Sequence, residues 1–141
     1  FIENGYNISA MDGSPEMCKL AENLIGQKVG CKRFEEIDSL NEYDGVWACA
    51  SILHLKYEEL KDVIKKIYYA LKQDGYFYLS FKYGTFEGER NGRYFIDMTE
   101  EKLEKLIAQI KSFDIVEIIV TSDVRNGRED EKWLNVILKK I

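Results

Sequence analysis

Histidine is almost missing from this chain, with His54 the only one, and the three cysteines (Cys18, Cys31, Cys49) are an odd number with no CxxC spacing. So few soft or imidazole ligands speak against zinc, and no metal is expected. The thiols fit a reduced, cytoplasmic setting. Positive charge is not in excess: 20 Lys and Arg stand against 25 Asp and Glu, a net charge of −5, with both signs mixed along the sequence. With no basic stripe to displace counterions from a phosphate backbone, nucleic acid is not an expected partner. No apolar run approaches the ~20 residues of a spanning helix, so no membrane is expected, and no secretory signal is seen. An initiator methionine is lacking as well. The chain opens Phe1-Ile2-Glu3, and its first methionine, Met11, falls inside an apolar segment that reads as a strand. A segment upstream of Phe1 is therefore expected.

What is present is a globular composition, 45% hydrophobic, spread in short runs over 141 residues, enough for one domain with a core. Strand and helix signals alternate. Residues 6–11 read as a short buried strand closed by Asp12-Gly13. Ser14 then caps a helix with Pro15 in its first turn, Met17, Leu20, Ala21 and Leu24 at helical spacing, and Gly26 as its stop. Residues 28–32 read as a weaker edge strand. Tyr43 to Ala50 is a continuous apolar run of the kind covered on both faces. Glu58 to Leu71 is an amphipathic helix with Leu60, Val63, Ile64, Ile67 and Leu71 on one stripe. A turn at 73–75 leads to an aromatic strand over 76–81. Residues 82–93, polar and rich in glycine, are expected to form a long loop. Thr99 caps a helix to about Lys111, and two strands follow over 113–121 and 132–140. There is no repeat or linker. The pattern predicts one α/β domain over 1–141 whose sheet ends in an antiparallel edge.

In such sheets ligands sit beyond the carboxyl ends of the strands. Asp12 follows the first strand; its two acceptor oxygens match a ribose diol, or it caps the next helix together with Ser14. After the second strand, Phe34 can lie against an adenine ring or pack in the core. After the third come small residues that admit close backbone approach, then His54, which has either a ligand role or a structural one. Cys49 reads as a small buried hydrophobe rather than a nucleophile. Lys82, Arg90, Arg93 and Arg125 would form a rim for a carboxylate or phosphate; alternatively the loop is solvated and its charges pair with Glu87 and Glu89. Trp133 is expected in the core.

The order Asp12 with Ser14-Pro15-Glu16-Met17, then Tyr43-Asp44-Gly45-Val46-Trp47-Ala48, Leu53-His54 and Leu71-Lys72-Gln73-Asp74-Gly75-Tyr76 resembles class I S-adenosylmethionine-dependent methyltransferases over nearly the whole chain. The segments 80–84, 93–95 and 133–136 look like a bacterial, tellurite-resistance-like subgroup. The resemblance implies a Rossmann-like, mostly parallel sheet with an antiparallel C-terminal edge strand. It also implies S-adenosyl-L-methionine as cofactor and a small-molecule acceptor, anionic or a metalloid. Asp12 would hold the ribose, with Ser14 beside it, and Met17 and Phe34 would flank the adenine. Ala48 and Cys49 would carry the methionine part, with Ser51 and His54 nearby. No catalytic side chain is implied. Arg33 stands where the family often has an acidic residue, and Glu35 is the substitute. The resemblance further implies that a strand and a Gly-x-Gly loop precede Phe1, so that the domain, read as N-terminally truncated, would need them for activity. Without that central strand, the strands ending at Asp12 and Ala48 would pair directly, recruit a second copy as a homodimer, or be completed by upstream residues. A scaffold without catalysis is the alternative function.

Overall fold

A computed structural model describes all residues from Phe1 to Ile141, and they fall into two compact units, Phe1–Ile37 and Asp38–Ile141.

In the first unit, β1 (Met11–Asp12) and β2 (Gly30–Cys31) pair in parallel, Asp12 opposite Cys31. The strand expected over 6–11 contracts to β1. Tyr6 is exposed, and of these residues only the Ala10 carbonyl gains a ladder bond, from Gly30 N at 2.8 Å. A strand without a partner along its length does not persist as one. Helix α1 (Pro15–Ile25) forms as its sequence dictates: Ser14 Oγ accepts from Met17 N, and Gly26 closes the helix in the left-handed region. Cys18 is buried beneath it, its thiol donating to the Asp12 carbonyl at 3.3 Å.

The second unit is built on β3 (Tyr43–Ala48), α2 (Tyr57–Ala70), β4 (Leu71–Lys82), β5 (Glu87–Arg90), β6 (Arg93–Ile96), α3 (Glu100–Ile110), β7 (Phe113–Ser122) and β8 (Lys132–Lys140). Its main sheet has the order β3-β4-β8-β7. The α2 crossover makes β3 and β4 parallel, whereas β8 lies between β4 and β7 and is antiparallel to both. Phe77, Leu79 and Phe81 of β4 are fully buried, as are Leu60 and Ile64 of α2, Leu103 and Leu106 of α3, and Leu134, Val136 and Leu138 of β8. Each such side chain contributes about 1.5–3 kcal/mol. Every residue of the apolar stripe named from the sequence is buried, though the helix ends at Ala70 and Leu71 opens β4. The turn expected at 73–75 appears as a kink inside β4: Asp74 has φ +63°, and pairing with β3 jumps from Tyr43/Leu71 to Gly45/Tyr76. Gly75 is required there, because a Cβ would come within 2.9 Å of the Lys72 carbonyl oxygen.

Two expectations need correction. β3 is not covered on both faces. It pairs with β4 alone, and Trp47 is 57% exposed, stacked on Tyr78 at 3.8 Å on the side of the sheet opposite Phe77. Residues 82–93 are not a long loop either. β5 and β6 form an antiparallel hairpin closed by Asn91-Gly92, both at positive φ, the two-residue turn that suits the twist of paired strands.

Candidate functional site

Parallel pairing places the ends of β1 and β2 on the same side of the first unit's ladder. Asp12 ends β1, and its Oδ1 accepts the Ser14 N–H at 2.8 Å, leaving Oδ2 without a hydrogen bond. The carboxylate thus caps the turn into α1 and still offers acceptor capacity to a diol, so the two sequence readings are compatible. Met17, in the first turn of α1, is half exposed. Beyond β2, Phe34 opens a 3-10 turn and is partly buried. Glu35 is exposed and lies 3.8 Å from Arg33, an ion pair loose enough to leave its carboxylate to other donors.

In the second unit β3 ends at the buried Ala48. Cys49, just beyond the end of β3, is exposed and lines a cavity, and is not a buried hydrophobe as expected. Ala50 sits at φ +48°, a left-handed conformation costly for a residue with a Cβ. What holds it is Ser80, 2% exposed, whose Oγ accepts the Ala50 N–H at 2.8 Å. Sequence reasoning passed over Ser80, which gives no signal until β3 and β4 are paired. Ser51 precedes a 3-10 turn over Ile52–His54, of which Ile52 and Leu53 are buried. His54 Nδ1 lies 2.9 Å from the Tyr94 carbonyl oxygen, and its ring meets Phe95 edge-on at 4.6 Å.

Cys49, Ala50, His54 and Ser80, but not Ala48 or Ser51, line a cavity of about 610 Å³ in the second unit. Leu53, Phe95 and Trp133 give it apolar walls, and Ser80, Thr121 and Asn135 give it polar ones. A second cavity of about 580 Å³ lies beside it and shares Lys82, Phe95 and Arg128.

The methyltransferase-domain family matches residues 1–79 of the 141. The chain belongs to that family. Among solved structures it is similar to 1,6-didemethyltoxoflavin-N1-methyltransferase of Burkholderia thailandensis, crystallised with 1,6-didemethyltoxoflavin and S-adenosylhomocysteine. The TM-score is 0.79 at 22% identity, over 99% of this chain and 64% of that one. It is similar also to a SAM-dependent methyltransferase of Methanosarcina mazei, with TM-score 0.79 and 18% identity, over 98% of this chain and 84% of that one. A third likeness is to the 4+2 cyclase SpnF, with TM-score 0.74 and 16% identity, over 99% and 69%. Comparison with curated protein sequences gives no match. Likeness at these identities establishes the fold, a Rossmann-like α/β architecture. The chain spans less than two thirds of the toxoflavin enzyme's length.

In this methyltransferase-family chain the cationic rim is composed differently from the sequence expectation. Arg90 is not available: both arms of its guanidinium are bonded to the buried Asp97, and Phe86 lies beneath it at 4.1 Å. Gly84, at φ +151°, lets the chain pass Asp97 where a Cβ would meet its Oδ2 at 3.3 Å. Arg125 is engaged likewise by the buried Asp123, through Nε and Nη2. Asp123 also accepts from the Trp133 indole at 3.0 Å, so Trp133 is a half-buried wall of the cavity rather than part of the core. These bonds, Arg125's foremost, hold the Asp123 carboxyl well below the usual carboxylate range. Neither carboxylate is Glu87 or Glu89, the partners expected for the loop's charges. Lys82, 3.9 Å from Glu131, and the exposed Arg93 remain on the cavity, joined by Arg128, which the sequence reading missed.

Proposed function

We propose that residues 1–141 belong to one methyltransferase domain that, together with the upstream strand and glycine loop the resemblance implies, passes a methyl group from S-adenosyl-L-methionine to a small anionic acceptor, a carboxylate, a phosphate or a metalloid oxyanion. The observation that carries this reading is Asp12 at the tip of β1 with Oδ2 open, in a chain of the methyltransferase-domain family. Within the first unit the donor set suits the nucleoside half of the cofactor, a carboxylate for the ribose hydroxyls and Met17 and Phe34 for the adenine, beside Ser14 and Glu35; within the second, the Ala48 and Cys49 backbone, followed by Ser51 and His54, is what the resemblance assigns to the methionine part. The structure of the toxoflavin enzyme with S-adenosylhomocysteine supports it by likeness. When bound, the cofactor supplies a methyl group already activated on a sulfonium.

What remains for the protein is alignment and exclusion of water. The apolar walls of the 610 Å³ cavity serve the second task, and Lys82, Arg93 and Arg128 serve the first by fixing an anionic group. No helix is long and apolar enough to cross a membrane. The unpaired side of β3 is the edge a homodimer would use.

Incubation with methyl-labelled S-adenosylmethionine and a panel of small carboxylates and phosphates tests the reading. Label in an acceptor, with matching S-adenosylhomocysteine, is the expected outcome. Cofactor binding without transfer to any member would favour the scaffold alternative.

A further inference from the structure

The only imidazole of the chain is fixed in one tautomer. A backbone carbonyl can only accept, so the 2.9 Å contact with the Tyr94 oxygen puts the proton on His54 Nδ1 and leaves the lone pair of the neutral ring on Nε2. The edge-on contact with Phe95 fixes the plane of the ring. Both contacts come from β6, so the hairpin sets the direction of that lone pair. His54 lines the 610 Å³ cavity, which also holds Lys82, Arg93 and Arg128 and whose one carboxylate, Asp123, is neutralised by Arg125. A cavity of this kind combines a site for negative charge with a proton acceptor.

We infer that the acceptor carries an anionic group, held by Lys82, Arg93 and Arg128, together with an O–H or N–H whose proton passes to His54 Nε2. This rests on the methyltransferase reading and names its substrate class. In the step, the O–H or N–H bond breaks and its proton goes to Nε2, giving an imidazolium. The electron pair left on the acceptor atom forms the new bond to the methyl carbon as the methyl–sulfur bond breaks, and the pair of that bond returns to sulfur, so that S-adenosylhomocysteine is the leaving group. The imidazolium then returns its proton to solvent.

With a single histidine, nitrogen-15 NMR of the whole chain reads this residue without ambiguity. The probes are 4-hydroxybenzoate, phenol (no anionic group) and 4-methoxybenzoate (no acidic proton). The expected result is a proton on Nδ1 in the free protein and a shift of Nε2 with 4-hydroxybenzoate. Phenol should bind roughly tenfold more weakly, and 4-methoxybenzoate should bind without the Nε2 shift. Arg93→Gln with Arg128→Gln, both at exposed positions, should weaken the two carboxylates about tenfold each and leave phenol unchanged. A proton on Nε2 in the free protein, or equal responses to all three probes, would overturn the inference. Failure to bind S-adenosylhomocysteine, measured separately by calorimetry, would instead count against the methyltransferase reading.

Discussion

Arg90 and Asp97, seven residues apart on the β5–β6 hairpin and its exit, face each other with two parallel bonds of 2.8 and 2.6 Å, and the carboxylate end is buried. Fork-to-fork geometry of this kind is among the strongest that side chains make. Removing the guanidinium would strand a buried negative charge. Arg90→Ala is therefore expected to cost about 3 kcal/mol, and Arg90→Lys nearly as much, since an ammonium cannot reproduce the fork or the stacking on Phe86. Urea unfolding monitored by tryptophan fluorescence measures this.

Asp123 governs the acid limb of stability. Its carboxyl is depressed in the folded chain, mainly by the Arg125 side chain and then by the Trp133 indole, so below the ordinary aspartate value of about 3.9 the unfolded chain binds the extra proton. The stabilisation is complete above that value and is lost as pH falls through the depressed one. Asp123→Asn should therefore lower the thermal midpoint most at pH 6, and by progressively less as pH falls below about 3.9. Melting curves across that range would show a shallower acid limb in the variant.

Ser80→Ala removes the acceptor for the Ala50 N–H and with it the restraint on a residue at φ +48°. A loss of roughly 1–2 kcal/mol is expected. Ala50→Gly relieves the strain instead and should gain about 0.5–1 kcal/mol. The double variant should recover part of the Ser80→Ala loss, measured by the same unfolding curves.

The sequence was most legible where local chemistry and burial agree. Ser14, Pro15 and Gly26 bound α1 as read, Leu60, Val63, Ile64 and Ile67 are on the buried face of α2 with the buried Leu71 opening β4 instead, and Thr99 caps α3. It misled where charge density masked a turn. Asn91-Gly92 carried the hairpin signal, but the surrounding Glu89, Arg90 and Arg93 made 82–93 resemble a solvated loop. For the same reason Arg90 and Arg125 read either as rim cations or as charges paired with Glu87 and Glu89, and neither reading finds their true partners. Their partners, Asp97 and Asp123, take part only once the hairpin folds and the β7–β8 connection closes. Ser80 and the direction of His54 depend on strand pairing and on β6, which no spacing along the chain encodes.

The cofactor reading depends most on Asp12. Calorimetric titration with S-adenosylhomocysteine, on residues 1–141 and on a version extended by the natural sequence upstream, tests it most directly. The expected result is saturable binding, at least by the extended chain, weakened tenfold or more by Asp12→Ala but much less by Glu35→Ala. Binding that is indifferent to Asp12→Ala, or absent from both versions, would contradict the account.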